Sequence, residues 1–454
     1  MSQTSVETQG GAPANPAARS ASAGAADFSL EAAPRFGYRW TICALLFFAT
    51  TINYIDRQVI GILGPTLRLE LGWSTQQFGD VVSWFQFAYG IGFLGVGRLL
   101  DRIGVKKGFA LAIATWSLAA MSHALATTAV GFSLARAALG LGESANFPAS
   151  IKAVAEWFPK KERAFATGIF NAGSNVGAIV APIVVPIITL TLGWRYAFLF
   201  TGLLVVIWLI AWWRIYYEPE RHPRITPAEL AYIRSDRDAD SDAEDAKAMV
   251  PWYRLLAHRQ AWGFIIAKSM TDPVWWFYLF WLPTFLDARY GIKLSHLAAP
   301  LVVCYVTADV GSIFGGWLSG AIIKRGHTVN YGRKAAMIVA ALAIVPTMLA
   351  PRSGTMWVAV AIVSVALAAH QWWSANVFTC ASDMFPRRTV ASIVSIGGFG
   401  GAMAGMAFQR IVGRQLQASG NNYTPIFLYC GLAYVTAWLI LQALAPRLEA
   451  VKLD

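Results

Sequence analysis

The stretch "NYIDRQVIG" sets Asp56 beside Arg57 inside a run that is otherwise apolar. A charge at mid-membrane costs about 3 kcal/mol or more unless it is paired or hydrated, so each is a functional candidate. Adjacent residues on a helix point roughly 100° apart, which sends the two side chains toward different neighbours. A second stretch, "ARAALGLGE", carries Arg136 and Glu143 seven residues apart, two turns along one face. Two acids and two arginines meeting in a buried setting suit the coupled handling of an anion and a proton. Burial favours the protonated form of a carboxylate, and a neighbouring arginine opposes it. An arriving anion competes for that arginine, so the carboxylate then accepts a proton, and the two bindings reinforce each other. Arginine's planar fork matches a substrate carboxylate. On this reading Glu143 and Asp56 serve proton coupling, and Arg57 and Arg136 serve anion recognition. An architectural ion pair is the alternative for Asp56. Cys43, Cys304, Cys380 and Cys430 stand singly in apolar runs, with no metal-ligand spacing, so no metal site is expected.

The elements that position these charges are long apolar helices. The chain has 454 residues, of which 56% are hydrophobic and 14% charged, where a soluble protein carries about a quarter charged. A bilayer crossing takes roughly 20 apolar residues, and uncharged runs of that kind recur along the whole chain. Continuous runs, in place of alternation, exclude a barrel. Twelve crossings are expected, near 38–63, 76–98, 108–127, 129–157, 164–192, 196–217, 260–286, 298–323, 333–350, 356–382, 389–413 and 424–445. Arg98, Arg102, Lys106 and Lys107 follow the second, Lys160, Lys161 and Arg163 the fourth, Lys324, Arg325, Arg333 and Lys334 the eighth, and Arg387 and Arg388 the tenth. Such asymmetry places those loops and both termini in the cytoplasm. It also accounts for the net charge of +12 without nucleic acid as a partner.

Residues 1–34, rich in Ala, Ser, Gly and Pro, read as a disordered tail. A six-helix bundle is expected over 35–217, a polar and acidic linker over 218–259, a second bundle over 260–447 and a short tail over 448–454. Within the linker, "TPAE" offers Thr226 as a cap, Pro227 in the first turn and Glu229 three after the cap, the pattern of a short surface helix. The ends of the second and eighth crossings, "GRLLDRIGVKK" and "GGWLSGAIIKRG", echo one another at a similar place in each half. Repeated six-helix halves are a transporter architecture, with substrate held between them near the midplane.

"GRLLDRIGVKK" resembles the signature loop of the major facilitator superfamily, and the twelve-crossing layout agrees over nearly all of 38–445. The resemblance implies an all-α membrane protein of two six-helix bundles working by alternating access. It makes Asp101 and Arg102 gating residues, with Asp101 drawn to the N-terminus of the eleventh crossing when the cytoplasmic side closes. "NYIDR", "FQFAYGIGF", "RAALGLGESANFPA" and "FWLPTFL" are similar to the anion:cation symporter branch. "TDPVWWFYLFWLP" and "AHQWWSANVFTCASDMF" resemble the bacterial hexuronate transporters. That branch implies proton coupling at the positions of Asp56 and Glu143 and anion recognition, or a part in the charge network, at those of Arg57 and Arg136. Hydroxyl-rich substrates need many hydrogen-bonding groups and aromatic faces. Tyr54, Tyr89, Asn171 and Asn175 in the first half, with His370 and Gln371 in the second, are the expected contacts. Helix–helix hydrogen bonding is the competing role for each. Lys268 and Asp272, four apart, are expected to neutralise each other, and Pro273 to break the helix after them. Asp309 reads as a packing or gating partner.

The expectation is a monomeric, multi-pass protein of the bacterial inner membrane with no cofactor beyond the coupling ion H+. It imports a sugar-acid anion, a hexuronate such as galacturonate or glucuronate, with one or more protons. Aldonates, aldarates and other small organic anions are the alternative cargo, and a passive uniporter or channel the alternative class. No catalytic cluster points to an enzyme.

Overall fold

The computed structural model describes residues 37–235, 250–449 and 451, and every regular element among them is helical. The expected N-terminal tail, the acidic part of the linker and the last residues of the chain lie outside those described. The first half comprises α1 (Tyr38–Ile62), the short α2 (Gly64–Leu71), α3 (Thr75–Ser122), α4 (Ala129–Glu143), α5 (Asn146–Trp157), α6 (Lys160–Leu192) and α7 (Trp194–Ile215). After α8 (Pro227–Arg234) and α9 (Trp252–Leu256) come α10 (Arg259–Tyr290), α11 (Ala298–Lys324), α12 (Val329–Ile344), α13 (Met356–Met384), α14 (Arg387–Ala418) and α15 (Thr424–Leu444). Seven helical stretches are long and apolar enough to cross a membrane. The remaining crossings, α1, α4 with α5, α10 and α14, are interrupted by charges, glycines or a break. Leu134 is 68% exposed and Ile313 76%; side chains like these across the outer face fit a surface bathed in lipid.

Helix α3 supplies two crossings. It starts on a capping box, in which Ser74 accepts from the Gln77 backbone and Gln77 from that of Ser74. It turns at Gly104, where φ is 77° and ψ 162°, a backbone region that side-chain-bearing residues enter only with strain. Nothing lies within 4 Å of a Cβ added there, so a substitution meets backbone cost and no clash. Gly104→Ala is therefore expected to destabilise the protein by about 1–3 kcal/mol, read as a lower thermal midpoint in detergent. An unchanged midpoint would show that the loop relaxes freely.

Three local expectations change in the structure. The fourth crossing is not one helix: it breaks at Ser144–Ala145, directly after Glu143, where the Ala145 N–H turns to the Gly142 carbonyl at 3.4 Å. Pro273 does not end its helix; α10 runs through it. Proline removes a hydrogen bond and crowds the preceding turn, and the carbonyls there find donors on α15. Tyr429 Oη donates to Met270 O at 3.0 Å, and Tyr434 Oη to Thr271 O at 3.2 Å. Finally, Thr226 caps α8 as expected, accepting from Glu229 N at 3.2 Å, but the Glu229 carboxylate does not turn back on its own helix. It caps α1 instead, accepting from Tyr38 N at 2.9 Å and Arg39 N at 3.0 Å. Arg39 binds both Glu229 and Glu162, and Tyr232 Oη donates to Glu162 at 2.9 Å. The linker helix is thus clamped to α1 and α6, with Glu229 buried.

The two halves meet at the end remote from the termini. Thr75 N donates to Gln417 Oε1 at 3.0 Å, and Arg410 Nε to Ser83 Oγ at 3.1 Å. A Cβ on Gly61 would lie 2.6 Å from Leu279 O, and one on Gly79 2.8 Å from Gln409 O. Glycine is what lets the backbones touch. Toward the basic end the halves part. Ser364, Leu367, Gln371, Ser374 and Phe378 form one stripe of α13; the first two are buried and the last three at least half-open. On α1, Ile55 and Val59 are buried, while Thr41, Ala44 and Phe48 on the same face are exposed. Exposure along both helices rises toward the basic end, as expected of a vestibule that opens there.

Candidate functional site

At the closed end of this vestibule lies a buried ion pair. Arg57 Nε reaches Glu143 Oε2 at 2.9 Å and Nη2 the same oxygen at 2.8 Å; Nη2 also donates to Asn53 Oδ1 at 3.1 Å. Arg57 is 3% exposed and Glu143 not at all. The pairing follows from local geometry. Asn53 stands one turn before Arg57 on α1, and Glu143 ends α4 at the break. Gly140, whose Cβ would overlap the Phe85 carbonyl, brings α4 close against α3.

Four rings surround the Arg57 guanidinium: Tyr54 at 4.7 Å, Tyr89 at 4.9 Å, Phe85 at 5.3 Å and Trp276 at 5.3 Å. Cation–π contacts of this kind contribute about 0.5–2 kcal/mol each. Trp276 belongs to the other half. Arg136, also fully buried, lies 4.4 Å from the Phe85 ring and 5.4 Å from that of Phe280, one turn beyond Trp276 on α10. Both arginines of the first half therefore rest on rings of the second.

Among the described residues the remaining charges of the cluster are unpaired. None of the three Arg136 side-chain nitrogens has a hydrogen-bond partner, nor does Glu143 Oε1, nor either oxygen of Asp56. Asp56 is 2% exposed and faces Thr201 of α7, within electrostatic reach of Arg136 and Glu143. The four expected charges thus occupy one buried region, but only one pair among them closes, leaving an anion-accepting group and proton-accepting oxygens unused. Unpaired buried polar groups are costly, which fits a functional over an architectural role.

The other expected residues fall in several places. Tyr54 and Tyr89 wall the Arg57 cage. Asn171 and Asn175 share one face of α6, exposed and half-open, and Asn175 Oδ1 accepts from Ser174 Oγ at 3.3 Å; no bond joins either to the charged cluster. His370 is held in packing, 2.5 Å from Tyr434 Oη and stacked 5.0 Å from the Trp275 ring. Its neighbour Gln371 lies on the open stripe of α13. Asp101 pairs with Lys152 of its own half at 2.6 Å, and Arg102 is exposed. The side chains of Arg387 and Arg388, where Asp101 is expected to bind in the other state, lie outside the described residues. Asp309 is half-buried and makes no ion pair among the described residues. Lys268 and Asp272 pair at 2.9 Å, as their spacing implies. Sequence reading did not single out Phe85, Trp276 and Phe280 as cage residues; the runs "FQFAYG" and "PVWWFY" that hold Phe85 and Trp276 were its only signal.

Known proteins share this organisation. The solved inward-open xylose transporter XylE from E. coli superposes with a TM-score of 0.71 at 16% identity, covering 90% of this chain and 97% of that one. The hexuronate transporter of Escherichia coli (strain K12) is 32% identical over 423 residues, 92% of this chain and 96% of the relative. The galacturonate transporter of Dickeya chrysanthemi is 34% identical over 282 residues, 62% of this chain and 81% of that protein. The profile of the Major Facilitator Superfamily matches residues 46–409. With its two helical halves, its sealed charge cluster and its vestibule between them, this chain belongs to the Major Facilitator Superfamily and is a membrane transporter, not an enzyme.

Proposed function

We propose that the protein is a proton-coupled symporter importing a sugar acid, with a hexuronate such as galacturonate or glucuronate as the preferred cargo. The observation that carries this reading is the Arg57–Glu143 pair in its aromatic cage, beside an Arg136 and an Asp56 that form no ion pair among the described residues. The near full-length likeness to a hexuronate transporter, and the likeness over 282 residues to a galacturonate transporter, support the cargo class. The excess of basic residues assigns the open end to the cytoplasm, so this is the inward-open form of a bacterial inner-membrane protein.

The proposed cycle uses only these groups. When the outer side opens, Trp276 and Phe280 withdraw with the second half and uncover Arg57 and Arg136. A substrate carboxylate then takes the Arg57 fork from Glu143, which is neutralised by a proton. Asp56 offers a second protonation site. Closure over the loaded, neutralised cluster avoids burying a bare charge, and opening inward releases both cargoes. Tyr54, Tyr89 and Gln371 offer hydroxyl and amide contacts to the sugar, and Asn171 and Asn175 further polar groups. Asp101 and Arg102 act at the cytoplasmic gate. The coupling is reciprocal, each cargo raising affinity for the other.

Proteoliposomes test this directly. Labelled galacturonate is expected to accumulate above equilibrium only under an inward proton gradient, and a protonophore to collapse the excess. Hexuronates should compete better than aldonates or aldarates at two pH values. Uptake that stops at equilibrium whatever the gradient would establish a passive uniporter.

A further inference from the structure

One buried ion pair has no part in the cycle described above. Lys268 Nζ lies 2.9 Å from Asp272 Oδ2 and 3.1 Å from Oδ1, so a single ammonium holds both carboxylate oxygens. The pair has a fitted housing. A Cβ on Gly401 of α14 would overlap Asp272 Oδ2, and one on Gly397 would press Lys268 Cδ at 3.3 Å. The Phe378 ring lies 4.3 Å from the ammonium. The members differ in exposure: the Lys268 side chain is 6% exposed and that of Asp272 21%. The more accessible member is the carboxylate.

Its distance from the charge cluster is set by the helix. Asp272 stands four residues before Trp276, which touches the Arg57 cage, and four residues span about 6 Å of helix. A six-carbon acid with its carboxylate on Arg57 extends about that far, bringing its distal carbons to Asp272. Resting on the sugar-acid reading above, we propose that the Lys268–Asp272 pair reads the distal end of the substrate, admitting hydroxyls and refusing a second carboxylate. A carboxylate accepts hydrogen bonds from sugar hydroxyls. Its fixed charge repels a like charge beside it, and such refusal confers specificity as surely as attraction does. Lys268 holds the carboxylate in place without presenting its own charge to the vestibule. The pair thus makes the site one for monocarboxylates, with Asp272 as its specificity determinant.

The test is counterflow of labelled galacturonate in proteoliposomes at neutral pH, competed by unlabelled galacturonate and by the dicarboxylate galactarate. In the parent protein galactarate is expected to compete at least about tenfold more weakly. Asp272→Asn should bring the two competitors within about threefold of each other, since the amide still bonds hydroxyls and no longer repels. The double variant Lys268→Met with Asp272→Asn removes both charges, leaves no bare cation to compromise folding, and should shift the ratio in the same direction. An unchanged ratio in the variants with galacturonate exchange intact overturns the proposal alone; equal competition in the parent overturns it together with the hexuronate preference proposed above. A parent that takes no sugar acid overturns the proposed function and this inference together.

Discussion

Glu143→Gln is expected to abolish proton-driven accumulation while leaving exchange of substrate across the membrane intact. Glutamine keeps an oxygen where Glu143 Oε2 meets Arg57 Nε, 2.9 Å away, so the cage need not rearrange. It has no titratable group, so no proton can be carried at this position. In gradient-driven uptake the variant should reach only the equilibrium level. In counterflow, which needs substrate movement but no net proton transfer, its rate should stay within about tenfold of the parent, because the charged Arg57 still donates to the neutral amide oxygen. The intact counterflow rate shows that the variant is folded, whatever lowering of the thermal midpoint follows from leaving Arg57 without its counter-ion. If Glu143→Gln still concentrates galacturonate, Glu143 is not the coupling site and Asp56 becomes the residue to test.

Much of this arrangement was legible in the sequence, and the exceptions share a cause. Apolar runs marked the crossings because a bilayer demands helices that satisfy their own backbone. The four charges stood out because everything around them was apolar. Spacing alone could not say which acid takes which arginine. Asp56 and Arg57 differ by about 100° of rotation, and that setting, fixed by packing across α3, α4 and α7, turns Arg57 to Glu143 and Asp56 to Thr201. Misreadings at Pro273 and Glu229 were of the same kind. Locally, proline reads as a break and "TPAE" as a self-contained cap. The partners that changed the outcome, Tyr429 and Tyr434 on α15 and the first residues of α1, lie more than 150 residues away in sequence. The cage was hidden for a further reason. Trp276 and Phe280 meet the arginines across the interface between the halves, and nothing local in the sequence pairs α10 with α1 and α4.

Arg136→Met is expected to lose transport without losing stability, an outcome that separates it from its neighbour. Arg57 is half of a closed pair, and removing one partner of a buried pair typically costs 3–5 kcal/mol, roughly, because the other charge stays buried alone. Arg57→Ala should accordingly lower the thermal midpoint as well as activity. Arg136 forms no such pair. It is wholly buried, none of its nitrogens is hydrogen-bonded among the described residues, and it rests on the rings of Phe85 and Phe280. Methionine replaces the aliphatic stem, has no desolvation cost and packs well on aromatic rings. The thermal midpoint of Arg136→Met should match or exceed that of the parent, while initial uptake falls by about 100-fold, equivalent to roughly 3 kcal/mol of lost anion stabilisation. A stabler but inactive variant would mean that the native chain keeps this unpaired cation for its cargo, at the expense of its own fold. A destabilised variant would mean instead that Arg136 holds the cluster together, with Asp56 as its counter-ion, and its assignment to substrate would fall.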